Sequence, residues 1–348
     1  MLASSPAIVA RALSRDGEHV AALTADGAVE VAALRRPQVV QRWSVGDDAC
    51  GLSMGEGAAR VVVLRAGRGA ELWSAPDGRR LPPERAYPCG ERLSTATRGF
   101  AARRSVRGSE RSAALAPGDD ALITTEHELS EIEEYYGGGY VDSASRCRLW
   151  SLGERPRELE LFRDSATRPL SYSALKEQEC ARVREAVFSR CGRWFALRRS
   201  DRVVEVWARE DGGARRLHAL DASAQALAFV DAGLLVAIDA SLHLRPLAGA
   251  RAPPPLPLHA APTRLAVSPR GRWLAIAFPD GPILTFAARA DPTSGAIIDP
   301  RAPTRRLEPA PRADAPIESL TCGDAGQVAA RRADHSVSYW AEPATPRR

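Results

Sequence analysis

Between Thr263 and Arg289 the chain reads TRLAVSPRGRWLAIAFPDGPILTFAAR, short apolar runs separated by abrupt polar breaks. The first run stops at Pro269-Arg270-Gly271, residues that favour a reversal of chain direction. Trp273 to Phe278 follows as a continuous apolar run of strand length, the pattern of a strand covered on both faces. Pro279-Asp280-Gly281 then closes a second hairpin ahead of ILTF. Three antiparallel strands in about 25 residues cannot bury both faces of their own sheet, so copies must stack on either side.

The copies are written along the chain. SRDGEHVAAL, MGEGAARVVVL, APGDDALITT, SRCGRWFALR, VDAGLLVAID, SPRGRWLAIA and GDAGQVAARR each place a turn ahead of a buried strand. A second turn and a third strand come after each, as in TADGAVEV, AGRGAELW, RSDRVVEVW and ADHSVSYW. With the third strands ending at Val31, Trp73, Trp150, Trp207, Pro246, Phe286 and Trp340, three intervals are close to the roughly 40 residues of a four-stranded blade, and three are longer. The prediction is an all-β chain, a seven-bladed propeller of four-stranded antiparallel blades, forming one domain over residues 1–348.

Four of the third strands end in tryptophan, in LWSA, LWSL, VWAR and YWAE. This resembles the WD40-repeat family, whose third strand typically ends in Trp-Asp; here the Asp and the Gly-His that usually opens a repeat are absent. Each Trp reads as an apolar plug between neighbouring blades. The resemblance implies a protein-interaction scaffold, the usual role of that family.

Insertions account for the longer intervals. Alternating strand direction puts those at 82–108, 126–145 and 163–182 on one face over blades two to four, and that at 288–304 on the other. Long loops in a compact domain are usually functional or disordered, so three together suggest a partner site. Residues 79–111 carry nine Arg against three Glu, with Arg98, Arg103 and Arg104 the candidate contacts. EHELSEIEEYYGGGY carries five Glu and three Tyr with no Lys or Arg, which singles out Glu131, Glu133, Glu134, Tyr135, Tyr136 and Tyr140. Tyrosine anchors protein interfaces because it is large and amphipathic with few rotors. The bland alternative is that the acidic and basic segments neutralise one another. Residues 171–186 suggest a short helix. Blade seven has no obvious fourth strand unless residues 1–6 supply it, so ring closure is the expected weak seam.

Composition adds less. The net charge of +5 looks basic, yet Lys176 is the single lysine, an arginine bias that points to a GC-rich, bacterial coding sequence more than to nucleic acid. The six cysteines lack paired metal-site spacings, which leaves free buried thiols in a soluble cytoplasmic protein without a membrane span. GLSMG around Ser53 matches a hydrolase elbow, but a strand follows where that elbow needs a helix. His127-Glu128 opens an HExxH pattern that fails at Glu131. His218, His243 and His259 read as ordinary strand residues. The expectation is therefore no enzyme, no cofactor and no metal: a monomeric propeller within a hetero-assembly, binding one or more proteins. The alternatives are nucleic-acid binding through the Arg-rich insert, the propeller component of a system pairing MoxR-type ATPases with von Willebrand A proteins, and an axial-channel enzyme.

Overall fold

The turn that opens the second strand shows how the sequence dictates the local backbone. In SRDG, SRCG and SPRG the main-chain N–H of Gly17, Gly192 and Gly271 donates to the carbonyl three residues back at 2.8–3.0 Å. Each of these glycines has φ near +67° to +69° in the left-handed region, where a side chain is strained. The serine that starts each turn is buried, and its hydroxyl accepts from the N–H of His19, Trp194 or Trp273 at 2.9–3.1 Å. Buried main-chain donors need such partners. One short polar tetrapeptide thus reverses the chain and satisfies its own backbone in three separate repeats.

The computed structural model describes residues 7–66, 69–81, 102–118, 120–134, 139–152, 157–169, 180–211, 213–231, 233–247, 252–279, 282–288, 303–308 and 315–341. Within these, strand residues 37–40, 102–109, 131–134, 139–141 and 167–169 are described by their backbone alone.

The strands form seven antiparallel sheets in chain order, each strand pairing with the next. Blade one comprises Ile8–Leu13, His19–Thr24, Ala28–Ala33 and Arg36–Ser44, and blade two Ala49–Met54, Arg60–Arg65, Gly69–Ser74 and Arg79–Arg80. Blade three is Ala102–Leu115, Ala121–Glu134, Gly139–Ser151 and Arg157–Pro169; blade four is Val183–Phe188, Trp194–Arg199, Val203–Glu210 and Gly213–Asp221. Blade five has Ala224–Val230, Gly233–Ile238, Ser241–Pro246 and Leu256–Pro257, and blade six Arg264–Val267, Trp273–Ala277, Ile283–Ala287 and Arg305–Leu307. Blade seven has three strands among the described residues, Ile317–Cys322, Val328–Arg332 and Val337–Trp340. Residues 1–6, the proposed donor of a fourth, lie outside the described residues. The first strand of each blade lies against the first strand of the next, and blade seven returns to blade one. The protein is a seven-bladed β-propeller.

Its core is divided by junction. Clusters of buried apolar side chains fill the spaces between blades one and two, two and three, three and four, four and five, five and six, and six and seven. At the last junction the described contacts are largely polar. Arg11 donates to the carbonyl of His335 at 2.6 Å, and Gln327, 2% exposed, donates to Glu18 at 3.2 Å. A β-carbon on Gly323 would lie 2.5 Å from the Asp16 carbonyl, so blades seven and one close around a position only glycine fits.

The tryptophans do more than plug the junctions. Trp73 and Trp207 pack against the apolar cluster shared with the preceding blade, and each indole N–H also donates to a glutamate two residues earlier, Glu71 at 3.3 Å and Glu205 at 3.2 Å. Those glutamates are 6% and 3% exposed and are held by arginines from neighbouring strands, Arg65 and Arg80 for Glu71, Arg199 and Arg216 for Glu205. Blade three inverts the pair: Arg148 takes the glutamate's place beside Trp150, and Glu126 stands where Arg65 and Arg199 stand. Trp150 donates instead to the Thr124 hydroxyl at 3.0 Å.

Candidate functional site

Blade three departs from its neighbours in length. Its four strands run 13 or 14 residues, whereas the longest strand elsewhere among the described residues has nine. Polar residues from Glu126 onward do not stop the second strand, because its backbone pairs on both sides as far as the tip. The reading of residues 126–145 as an irregular loop is therefore corrected: 126–134 and 139–145 are strand. Residues 102–108 and 163–169, parts of the other two expected inserts, are strand as well. All lie at one end of a single sheet, since antiparallel register aligns them. Residues 82–101 and 170–179 lie outside the described residues, as does most of 288–304. The expected helix over 171–186 is overtaken at its C-terminal end, where Val183 begins the inner strand of blade four.

The sheet brings the predicted acidic and basic residues into register. Glu133 stands opposite Arg103 on one side and Gly139 on the other, and Ile132 lies between Arg104 and Tyr140. Glu131 is opposite Ser105 and Val141, and Glu134 opposite Ala102. Opposed positions in an antiparallel pair are about 5 Å apart, so the two charge-biased segments are neighbours along their length. Arg98, Tyr135 and Tyr136 lie outside the described residues.

Beneath the tip the sheet buries polar groups, a more telling feature than an exposed apolar one. Thr124, Thr125, Glu126, His127, Ser130, Asp142, Ser143, Ser145, Arg146 and Arg148 are all buried. The chain entering blade four is fixed to this base. The N–H of Cys180 donates to the Ser143 hydroxyl at 2.8 Å, that of Ala181 to Asp164 at 2.8 Å, and Arg182 pairs with Glu110 at 2.7 Å. The Cys180 thiol lies 3.9 Å from Nδ1 of His127.

This base forms one wall of the axial channel. A cavity of about 590 Å³ opens there, lined by Glu110, Arg111, Glu126, His127, Arg182, Arg184, Arg198, Arg264 and Glu318 among others. It shares Arg111, Ser112 and Glu318 with a second cavity of about 360 Å³ further along the channel, whose walls include Ala10, Ala12, Gly51 and Ala113. At the other end, side chains from the inner strands of all seven blades, Leu13, Met54, Leu115, Phe188, Phe229, Val267 and Leu320, surround a third space. There Arg15 reaches from blade one to the Phe188 carbonyl of blade four at 3.4 Å, spanning the channel. Burial lowers the Arg15 pKa, with Glu56 acting against it.

Repeated bulges shape the mouth. In blades one, two, four, five and seven the register slips near the start of the inner strand, leaving Val9, Cys50, Arg184, Gln225 and Glu318 as the extra residues. Bulges re-aim side chains and are common beside functional sites. Arg111, Arg184 and Arg264 stand in separate repeats of the sequence, and closure of the ring brings them to one cavity.

Among the described residues no group of three or more His, Cys, Asp or Glu is placed to hold a metal ion, and no helix is long and apolar enough to cross a membrane. His218 and His243 lie on strands, whereas His259 lies outside them and packs on Phe278 at 4.1 Å between ring centroids. Cys147, Cys180 and Cys322 are buried, and Cys50 and Cys191 exposed. Burial pushes the Cys322 thiol up to about 12 and raises that of Cys147 as well. Iodoacetamide at about pH 8 is therefore expected to label Cys191 readily in the folded protein, Cys50 more slowly because burial raises its thiol too, and to spare Cys147 and Cys322 until it unfolds. Peptide mapping that finds Cys147 or Cys322 modified in the native state would contradict this packing. Comparison of the sequence with protein family models and with curated proteins gives no match, and the propeller is identified from its blades alone.

Proposed function

We propose that this propeller is a non-enzymatic assembly platform that holds one or more protein partners through the face on which blade three is extended. The observation that carries the reading is the extension itself. A four-stranded sheet continues beyond the length of every other blade and places an acidic, tyrosine-bearing strand pair beside an arginine-bearing one. Closing a blade in this ring does not require such length, since the other six manage with short strands. Ordered, polar and laterally paired surface of this kind suits a specific partner, because little entropy is lost when a preorganised face binds.

The tryptophans ending the third strands support membership of a divergent WD40-like group, the preference for arginine over lysine supports a bacterial origin, and the free cysteines support a cytoplasmic setting; we read the propeller as a monomer inside a larger assembly. Capture from native lysate by the intact chain, but not by a chain whose blade-three tip is replaced, is the test. Equal capture by both places the partner elsewhere.

A further inference from the structure

We infer that the mouth of the axial channel, on the face carrying the blade-three extension, receives an oxyanion group of an extended peptide, held by Arg111 and Arg264. The inference rests on the reading of that face as a protein-binding one and names the chemistry it recognises.

Charge pairing in the cavity leaves these two guanidinium groups over. Arg182 pairs with Glu110 at 2.7 Å, Arg198 with Glu185 at 2.9 Å and Arg331 with Glu318 at 2.8 Å, while Glu126 faces Arg148. The hydrogen-bond partners of Arg264 are main-chain carbonyls, and those of Arg111 are a main-chain carbonyl and the Cys50 thiol. Arg111 donates to the carbonyl of Arg65 at 2.6 Å, and Arg264 to those of Glu318 and Thr263 at 2.7 Å each. Both line the same cavity, with Arg184 exposed beside them. Both guanidinium groups are only partly exposed, and neither has a carboxylate at ion-pair distance among the described residues, so an arriving anion gains a charge-assisted contact there. Burial lowers the pKa of Arg264, and the like charges of Arg198 and Arg331 push the same way against Glu185 and Glu318. Arg11, further along the channel, also has a main-chain carbonyl as its direct partner, although Asp334 lies near enough to favour its charge. The planar fork of arginine suits carboxylate and phosphate oxygens alike.

The shape of the site narrows the carrier. Arg15 spans the far end of the channel, so a long polymer cannot thread it, while a side chain can enter from the mouth. Glu110, Glu126 and Glu318 share the walls with the arginines. Such alternation would repel a continuous polyphosphate backbone and tolerates a peptide bearing isolated anionic side chains.

The test uses the full chain and three fluorescent peptides of equal length: hexaglutamine with one residue replaced by glutamate, the same with one residue replaced by phosphoserine, and hexaglutamine itself, with a single-stranded oligonucleotide alongside, at about 50 mM salt. The glutamate or the phosphoserine peptide is expected to bind, the stronger of the two identifying the source of the oxyanion, and hexaglutamine is not. The Arg111→Gln, Arg264→Gln pair should weaken binding about tenfold or more, with Arg264→Lys retaining part of it. Should the paired variant not fold, inorganic phosphate must displace the peptide from the unaltered protein. Binding indifferent to the substitutions and to phosphate, equal binding of hexaglutamine, or tighter binding of the oligonucleotide would each overturn the inference. Lost anion binding with partner capture retained in the arginine variants would leave the platform reading standing. Absence of any captured partner with anion binding intact would do the reverse.

Discussion

Truncating Trp207 to alanine is expected to lower the free energy of unfolding by about 3–5 kcal/mol, the range for removing a large aromatic from a packed junction. Phe195 pairs directly opposite Trp207 across two strands of blade four, and the rings stack at 6.0 Å with 5° between planes. Phe195 is fully buried, so it would border the cavity left behind. Phenylalanine at the same position separates two roles. Trp207→Phe keeps an aromatic ring but loses part of its volume and the donor to Glu205, which still has Arg199 and Arg216 at 3.2 Å each. That change should cost about 1–2 kcal/mol, one hydrogen bond and a small cavity, and so less than the alanine truncation. Denaturant midpoints decide the matter: an unchanged midpoint for the alanine variant would show the ring to be dispensable. Equal losses for both variants would make the indole N–H the dominant contact.

Replacing residues 131–141 by a short Gly-Ser turn is expected to abolish capture of the native partner while leaving the ring intact. The position of the cut matters. A deletion beginning at Glu126 removes a buried side chain facing Arg148, and with it His127, Ser143 and Ser145, all buried. Arg148 would keep Glu158 at 3.0 Å, but the loss of several buried polar side chains together destabilises the sheet, so lost capture would report misfolding. Cutting above the opposed pair Ser130 and Asp142 leaves the buried base and its links to Cys180 and Ala181 in place. An unchanged melting temperature with lost capture supports the tip as the contact, and retained capture would place the partner on another surface.

The blades were legible because turn chemistry is local. Ser-Arg-Asp-Gly or Ser-Pro-Arg-Gly states its own backbone conformation, and the apolar run behind it states a covered strand. Blade three was legible only to Thr125. Beyond it no apolar alternation marks Glu126 to Glu134 as strand, and the pairing that makes it one is supplied by residues 102–111 and 139–146, distant or equally polar in sequence. The glutamate under Trp73 and Trp207 could have been found, since ELW and EVW repeat the same spacing while RLW in blade three inverts the charge. An indole N–H at a junction needs an acceptor, and that need is the signal that reading the ring as a plug passes over. The arginines of the channel mouth stand in separate repeats, and only closure of the ring reveals which carboxylates reach them.

Amide hydrogen exchange along blade three tests the account at its centre, because protection reports on backbone hydrogen bonds and not on sequence pattern. An ordered extension predicts slow exchange in 126–134 and 139–145, comparable to that of Trp194–Arg199 in blade four. Exchange there at the rate of an open chain, with the lower halves of the same strands protected, would contradict it.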